Sequence, residues 1–302
     1  MKLDSLDSLV AASPELGRAL PGLTRAAASE APVLIVGEAG SGRSLLAQLM
    51  HRASTRSKGP MVEADLATIP SDLFESELFG HRPGAFTGAG NENPGRVGRA
   101  EHGTLILDHI EEVPLAVQPK LLRLVAEKRF APLGGGEREA DVRIISIGSP
   151  DLTDRIARGT FREDLFYRLE VLSFRLPPLR ERRSELPQLA ASLLEDLSAR
   201  MGRPAPSLDS RALDWMTAYH WPGNLRQLRG VLERELVLPA GEVLNPGPPR
   251  GAERTPVSLE VVEREQIVKV LRHTRGHQGR AAELLGISRK TLWEKRRLYG
   301  LP

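Results

Sequence analysis

The sequence predicts an α/β fold, a parallel sheet that carries a phosphate-binding loop, followed by a helical segment and a small all-α unit. Three observations predict it. Five short β-rich runs, VLIV at 33–36, MVEA at 61–64, TLILD at 104–108, VRIISI at 142–147 and VLSF at 171–174, are separated by helix-length segments. The first run leads straight into a glycine-rich loop, GEAGSGRS at 37–44. The C-terminal fifty residues are basic and return to helical spacing.

Runs this short fit strands covered on both faces and joined by crossover helices. They end near residue 175, so the α/β part is assigned to 1–178. Apolar residues then recur at helical spacing around Leu189, Leu193, Leu194 and Leu197, giving a helical subdomain over 179–240. GEVLNPGPPRGAERTP at 241–256 is rich in Pro and Gly and reads as a linker. Residues 257–302 form the last unit.

Composition bounds the chemistry. A hydrophobic content of 40% with 27% charge can bury a sizeable core over 302 residues. The absence of cysteine excludes disulfides, thiol catalysis and cysteine-held zinc, and suits a cytoplasmic protein. No apolar run approaches the ~18 residues of a membrane helix, and MKLDSLDSLV lacks a signal peptide's basic start and apolar core. The net charge of +3 is unevenly spread: 250–302 holds 12 Lys and Arg against 6 Asp and Glu, the remainder 30 against 33. A basic tail on an otherwise slightly acidic chain suits contact with a polyanion.

In the loop Gly37-Glu38-Ala39-Gly40-Ser41-Gly42-Arg43-Ser44, strand, glycines and helix start follow in the order that cradles phosphates. Glycines admit backbone N–H groups to the anion, and the following helix favours negative charge. Ser44 supplies a hydroxyl for Mg2+. Asp108, closing the strand GTLILD, supplies the acid that holds the same ion partly through water. The pattern asks for lysine at Arg43; a guanidinium is larger, planar and permanently charged, so it attracts ATP but places the terminal phosphate less well.

ELFGHRPGAFTGA, with Gly84, Ala85, Phe86, Thr87, Gly88 and Ala89, closely resembles the signature of bacterial enhancer-binding proteins, the AAA+ activators of sigma-54 RNA polymerase. The resemblance runs through nearly the whole chain. It implies an AAA+ module with a helical lid, ATP and Mg2+ as cofactors, a hexameric ring, and contact of the Phe86–Thr87 loop with sigma-54. FREDLFYRL resembles the segment bearing arginine fingers, here Arg162 and Arg168, which reach a neighbouring subunit's nucleotide. LPPLRER resembles the link into the lid, and WPGNLR its second sensor, with Arg226 facing nucleotide.

The C-terminal unit resembles a Fis-type helix-turn-helix that binds upstream double-stranded DNA. Ser258 would cap a helix bearing Leu259, Val262, Ile267, Val270 and Leu271 on one face. A second helix follows around 280–285, with small Ala281 and Ala282 allowing a close crossing, and Gly286 makes the turn. Ser288 caps a third. Arg289, Lys290 and Thr291 would reach base edges, Trp293 lies on the same helix, and Lys295, Arg296 and Arg297 would meet phosphates.

The departures from the family pattern cluster at the hydrolytic machinery. Arg43 stands for Lys, His109 for the catalytic Glu, Ser149 for the Asn that orients water, and Asp65 for the Asn that pairs with that Glu. An Asp65–His109 ion pair is one arrangement these exchanges permit. ATP binding is expected to survive better than turnover. Two functions follow: a sigma-54-dependent activator, or a nucleotide-binding but hydrolysis-deficient regulator that acts by occupying DNA or by joining mixed rings with an active homologue. The AAA+ pattern begins almost at residue 1, so no regulatory domain is expected before it, leaving control to a partner protein, expression level or nucleotide supply.

Overall fold

The computed structural model describes residues 5–87, 89–237, 243–247, 263, 266–268, 270–271, 274 and 277–299. The chain divides into two compact units, Met1–Pro248 and Pro249–Pro302. Among the described residues, no helix is long and apolar enough to cross a membrane.

The first unit is built on a five-stranded parallel sheet. Its strands are β1 (Val33–Val36), β2 (Met61–Asp65), β3 (Thr104–Asp108), β6 (Arg143–Gly148) and β7 (Leu172–Arg175), in the order β2-β3-β6-β1-β7. All five coincide with the expected runs to within a residue. Alternation is absent because both faces are covered. Leu34, Leu105, Leu107 and Ile144 point into one core with α5 (Phe74–Phe79), α7 (Gln118–Glu127) and α9 (Glu163–Leu169). Val33, Ile35, Ile106, Ile145 and Ile147 point into the other, with α3 (Leu23–Ala28) and α4 (Arg43–Arg52). Each such side chain, fully buried, contributes about 1.5–3 kcal/mol.

The sheet register decides which residues can meet. Asp65 pairs with Asp108, Asp108 with Ile147, and Val36 with Gly148, so all four strand ends finish on one edge. Crevices outside the carboxyl ends of parallel strands are where such folds bind ligands. A small hairpin of β4 (Arg129–Phe130) and β5 (Arg138–Glu139) and the short helices α6 (Gly95–Arg99) and α8 (Leu152–Ala157) complete this subdomain.

The lid comprises α10 (Leu186–Arg200), α11 (Ser210–Ala218) and α12 (Asn224–Val237). Its centre is the fully buried Trp221, whose Nε1 donates to Met216 O at 2.8 Å and whose ring meets Trp215 and Tyr219. The expected linker start at 241 is corrected. Strand β8 (Ser207–Leu208) pairs with β9 (Val243–Leu244), Leu244 is buried in the lid core, and Trp215 Nε1 donates to Pro246 O at 2.7 Å. The Pro/Gly composition of this segment hid a two-residue strand.

The N-terminal helices α1 (Leu6–Ala12) and α2 (Pro14–Ala19) are fastened to the start of the lid. Glu185 accepts from Ser13 Oγ at 2.5 Å and from Glu15 N at 2.6 Å, and pairs with Arg182 at 3.0 Å. The Arg182 and Glu185 side chains are almost fully buried, which is tolerable because each is paired.

In the second unit, α13 (Gln278–Leu284) and α14 (Arg289–Leu298) pack through Ala281, Ala282 and Leu292, with Ile267 completing the core. Gly286, at φ 67°, ends α13, and Ile287 N reaches back to Ala282 O at 3.0 Å. Residue 263 and residues 266–268, 270 and 271 are helical. Ser258, Leu259 and Val262 lie outside the described residues.

Candidate functional site

The loop between β1 and α4 has the geometry that a phosphate needs. Gly40 and Gly42 hold φ of 75° and 105°, conformations that cost glycine little, and α4 starts at Arg43 with its first amides unspent by helix bonds. Ser41 is 3% exposed and its Oγ has no partner among the described residues. Ser44 Oγ donates to Asp108 Oδ2 at 3.0 Å. An orphaned buried hydroxyl just before the unspent amides of α4, beside a serine–aspartate pair, fits a nucleotide's phosphates and a magnesium ion held by Ser44 and Asp108.

Arg43 does not project from this loop. Its side chain is folded inward, 8% exposed, and Nη1 donates to Gly37 O at 2.8 Å and Gly148 O at 2.6 Å.

His109 follows Asp108 in the left-handed region, φ 58° and ψ 51°. Its amide donates to Asp108 Oδ1 at 2.9 Å, and its Nδ1 lies 2.9 Å from Asp65 Oδ1 and 3.7 Å from Asp108 Oδ1. The register of β2 on β3 brings the three together. The Ser149 hydroxyl is engaged by Asp151, and this bond holds the Asp151 carboxyl below its ordinary pKa. The Ser149 amide donates to Glu111 Oε2 at 3.2 Å.

The lid rests directly on the loop. Arg180 grips Glu38 with two bonds of 2.7 and 2.8 Å, and Asn224 Nδ2 donates to Glu38 Oε2 and Ala39 O. The Arg180 hydrogen bonds, with help from Asn224, hold the Glu38 carboxyl below its ordinary pKa against the opposing effect of burial. Leu225 N donates to Gly40 O at 3.0 Å. A Cβ on Gly40 would lie 2.4 Å from Gly223 O, so no larger residue fits this joint. Arg226 is exposed, and its Cβ is the neighbour of Gly40.

Two groups of expected residues stand apart from the loop. Arg162 lies exposed at the start of α9, bonded to its own Asp164 at 2.8 and 3.0 Å, and Arg168 is exposed on the same helix. Among the described residues, neither bonds to the phosphate loop. The Phe86–Thr87 tip also faces outward, with Phe86 40% exposed and its ring set edge-on to His81 at 5.0 Å. Gly84 N to Ala89 O at 2.8 Å and Ala89 N to Phe86 O at 3.0 Å close the loop; Gly88 lies outside the described residues. Arg82 N bonds to Leu133 O, and Ala85 abuts Gly134, so this tip and the loop before β5 share one base.

In the second unit, Ser288 Oγ caps α14 by accepting Thr291 N at 3.0 Å. Arg289 and Lys290 are exposed, the former stretched over Gly279 and the latter 4.0 Å from Glu294. Trp293 is exposed, with the Arg297 guanidinium 5.8 Å from its ring centre. Lys295 differs from its neighbours: it pairs with Glu263 at 2.5 Å, and Glu263 also accepts from Tyr299 at 2.6 Å. Arg296 is half-buried.

Sequence reasoning missed Glu38 as the lid contact, with Arg180 and Asn224, and missed Glu111 altogether. Glu111 and Glu112 look alike in IEEVP, yet the first is buried and the second exposed.

A parallel sheet of this order, a phosphate loop and a helical lid seated on it define an AAA+ P-loop module. Residues 9–175 match the sigma-54 interaction domain, 180–247 the AAA+ ATPase lid domain and 258–299 the Fis family of bacterial regulatory proteins, and the chain belongs to the sigma-54-dependent activators. It is 41% identical over 294 residues to the regulatory protein AtoC of Escherichia coli (strain K12), covering 91% of this chain and 64% of AtoC. It is 41% identical over 308 residues to the alginate biosynthesis regulator AlgB of Pseudomonas aeruginosa, covering 98% and 68%. NtrX from Brucella abortus, solved in complex with ATP, superposes with a TM-score of 0.71 at 31% identity, covering 96% of this chain and 68% of NtrX. The chain thus spans about two thirds of the length of these relatives.

Proposed function

We propose that this chain is a sigma-54-dependent transcriptional regulator that binds nucleotide with Mg2+, holds upstream DNA and engages sigma-54 polymerase in the cytoplasm. The observation that carries the proposal is the exposed Phe86–Thr87 tip, framed by backbone bonds, on the same unit as a loop fitted to phosphates. The AAA+ subdomains over 1–178 and 179–240 would do the coupling, with the lid extended to 247 by its final strand, and 257–302 would hold DNA.

Bound nucleotide would supply phosphate charge for the loop to respond to. Gly37–Ser44 bind it, Ser44 and Asp108 hold the metal, and Arg226 at the rim of Gly40 faces it. Arg162, once released from Asp164, and Arg168 are exposed on one helix and would serve a neighbouring copy, which supports a ring, hexameric by family resemblance. Arg289, Lys290 and Thr291 meet bases, while Arg296 and Arg297 meet phosphates.

His109 turned onto Asp65 favours a second reading, in which hydrolysis is slow or absent and the chain regulates by occupancy, alone or in mixed rings with a homologue. ATP turnover by the purified chain, with and without DNA, tests between them. Rapid turnover supports the first reading. Nucleotide and DNA binding without turnover supports the second, and failure to bind nucleotide overturns both.

A further inference from the structure

Arg43 and Glu111 grip one peptide unit from opposite ends. At the carbonyl end, Gly148 O accepts Arg43 Nη1 at 2.6 Å and the Gly37 amide at 3.3 Å. At the amide end, Ser149 N donates to Glu111 Oε2 at 3.2 Å. Both side chains are buried, Arg43 at 8% and Glu111 at 6% exposure. A guanidinium on a peptide oxygen and a carboxylate on its N–H both follow the peptide dipole. Bonds arranged head to tail in this way polarise and strengthen one another.

The backbone that carries this carboxylate is itself braced. Arg155 donates to Glu111 O at 2.9 Å and to Glu112 Oε1 at 2.8 Å. The turn that presents Glu111 is therefore fixed independently of the phosphate loop.

Resting on the nucleotide reading above, we propose that Glu111 is a positioning residue for Arg43. Acting through the Gly148–Ser149 peptide, it holds the guanidinium on the loop's own carbonyls and so weakens phosphate binding there. Both bonds to carbonyls use Nη1, which has only two hydrogens. For Nη1 to face an anion it must give up at least one of them, and while both are kept the three donors on Nε and Nη2 are held in the plane those bonds fix. The Glu111 charge makes Gly148 O a stronger acceptor and so raises the cost of release. A lysine, with three donors on one rotatable point, can turn to phosphate without the same exchange. Simple repulsion between Glu111 and a triphosphate also acts, but it acts whatever stands at position 43.

That difference supplies the test. A fluorescent ATP analogue with Mg2+ is titrated into the unmodified chain, Glu111→Gln, Arg43→Lys and the double variant, each first shown folded by thermal melting. Glu111→Gln should tighten binding about three- to tenfold beside Arg43, and by less than about twofold in the Arg43→Lys background, a coupling of the size found for residues that share partners. Glu111→Ala replaces Glu111→Gln if the latter melts early, with the same expectation. Equal tightening in both backgrounds, or no tightening beside Arg43, overturns the inference while leaving nucleotide binding intact. If the unmodified chain fails to bind and Glu111→Gln binds, the inference stands while the nucleotide reading of the unmodified chain is overturned. Failure of all four proteins to bind overturns both.

Discussion

His109 Nδ1 lies 2.9 Å from Asp65 Oδ1, across the edge where β2 and β3 end side by side. The contact occupies Nδ1 of the imidazole. Placing a glutamate there alone sets two carboxylates against each other, which favours protonating one of them. We therefore expect His109→Glu with Asp65→Asn, in an Arg43→Lys background, to raise ATP turnover at least about tenfold, a part of the ~10²–10⁴-fold that a positioned general base supplies. His109→Glu alone should gain less. Steady-state phosphate release checks the order. Robust hydrolysis by the unmodified chain that disappears in His109→Ala would contradict it.

Glu38 should make the joint between loop and lid sensitive to acid. Its carboxyl is held below its ordinary pKa, foremost by the Arg180 hydrogen bonds. A lowered folded value means a contribution fully present above the ordinary carboxylate range and lost as pH falls through the lowered value. The pair is about one third exposed, so the effect is modest. Melting temperatures of the unmodified chain and Glu38→Gln should differ most near neutral pH and converge in acid. A gap that widens in acid would contradict the assignment.

Thr87→Ala removes a hydroxyl from an exposed tip without touching the backbone bonds that close the loop. It should abolish promoter opening by sigma-54 polymerase while leaving DNA binding within about twofold, since rim substitutions that break no buried contact change little. Transcription with purified polymerase, paired with a gel-shift titration, separates the two. Unchanged transcription removes the role assigned to the loop.

Two basic residues on α14 should behave differently. Arg297→Ala should lower the slope of DNA affinity against salt by about 1, as expected for a lost phosphate contact. Lys295 is tied to Glu263, so Lys295→Ala should chiefly lower the melting temperature of the second unit. Salt-dependent binding isotherms and calorimetry distinguish them. A full unit of slope lost on Lys295→Ala would place that ammonium on DNA instead.

The five sheet strands were legible because buried parallel strands are uninterrupted apolar runs. The phosphate loop was legible because glycine spacing is local. Strands β8 and β9 were not, since two residues carry no period and the second lies in a Pro/Gly-rich stretch. The Asp65–His109 contact joins residues 44 apart and was within reach only through the family resemblance. The Glu38–Arg180 grip spans 142 residues and left no local trace. Glu111 could not be told from Glu112 without the packing around Ile110. The inward fold of Arg43 depends on the Gly148 carbonyl, a backbone atom whose position no side-chain pattern reports.

Gly40 gives its carbonyl to Leu225 and has no room for a Cβ beneath Gly223. The phosphate loop is therefore also the seat of the lid, a hinge with no play in it. A shift of the loop at Gly40 has to be taken up by the lid residues bonded to it, and a displacement of Leu225 reaches the loop's own backbone.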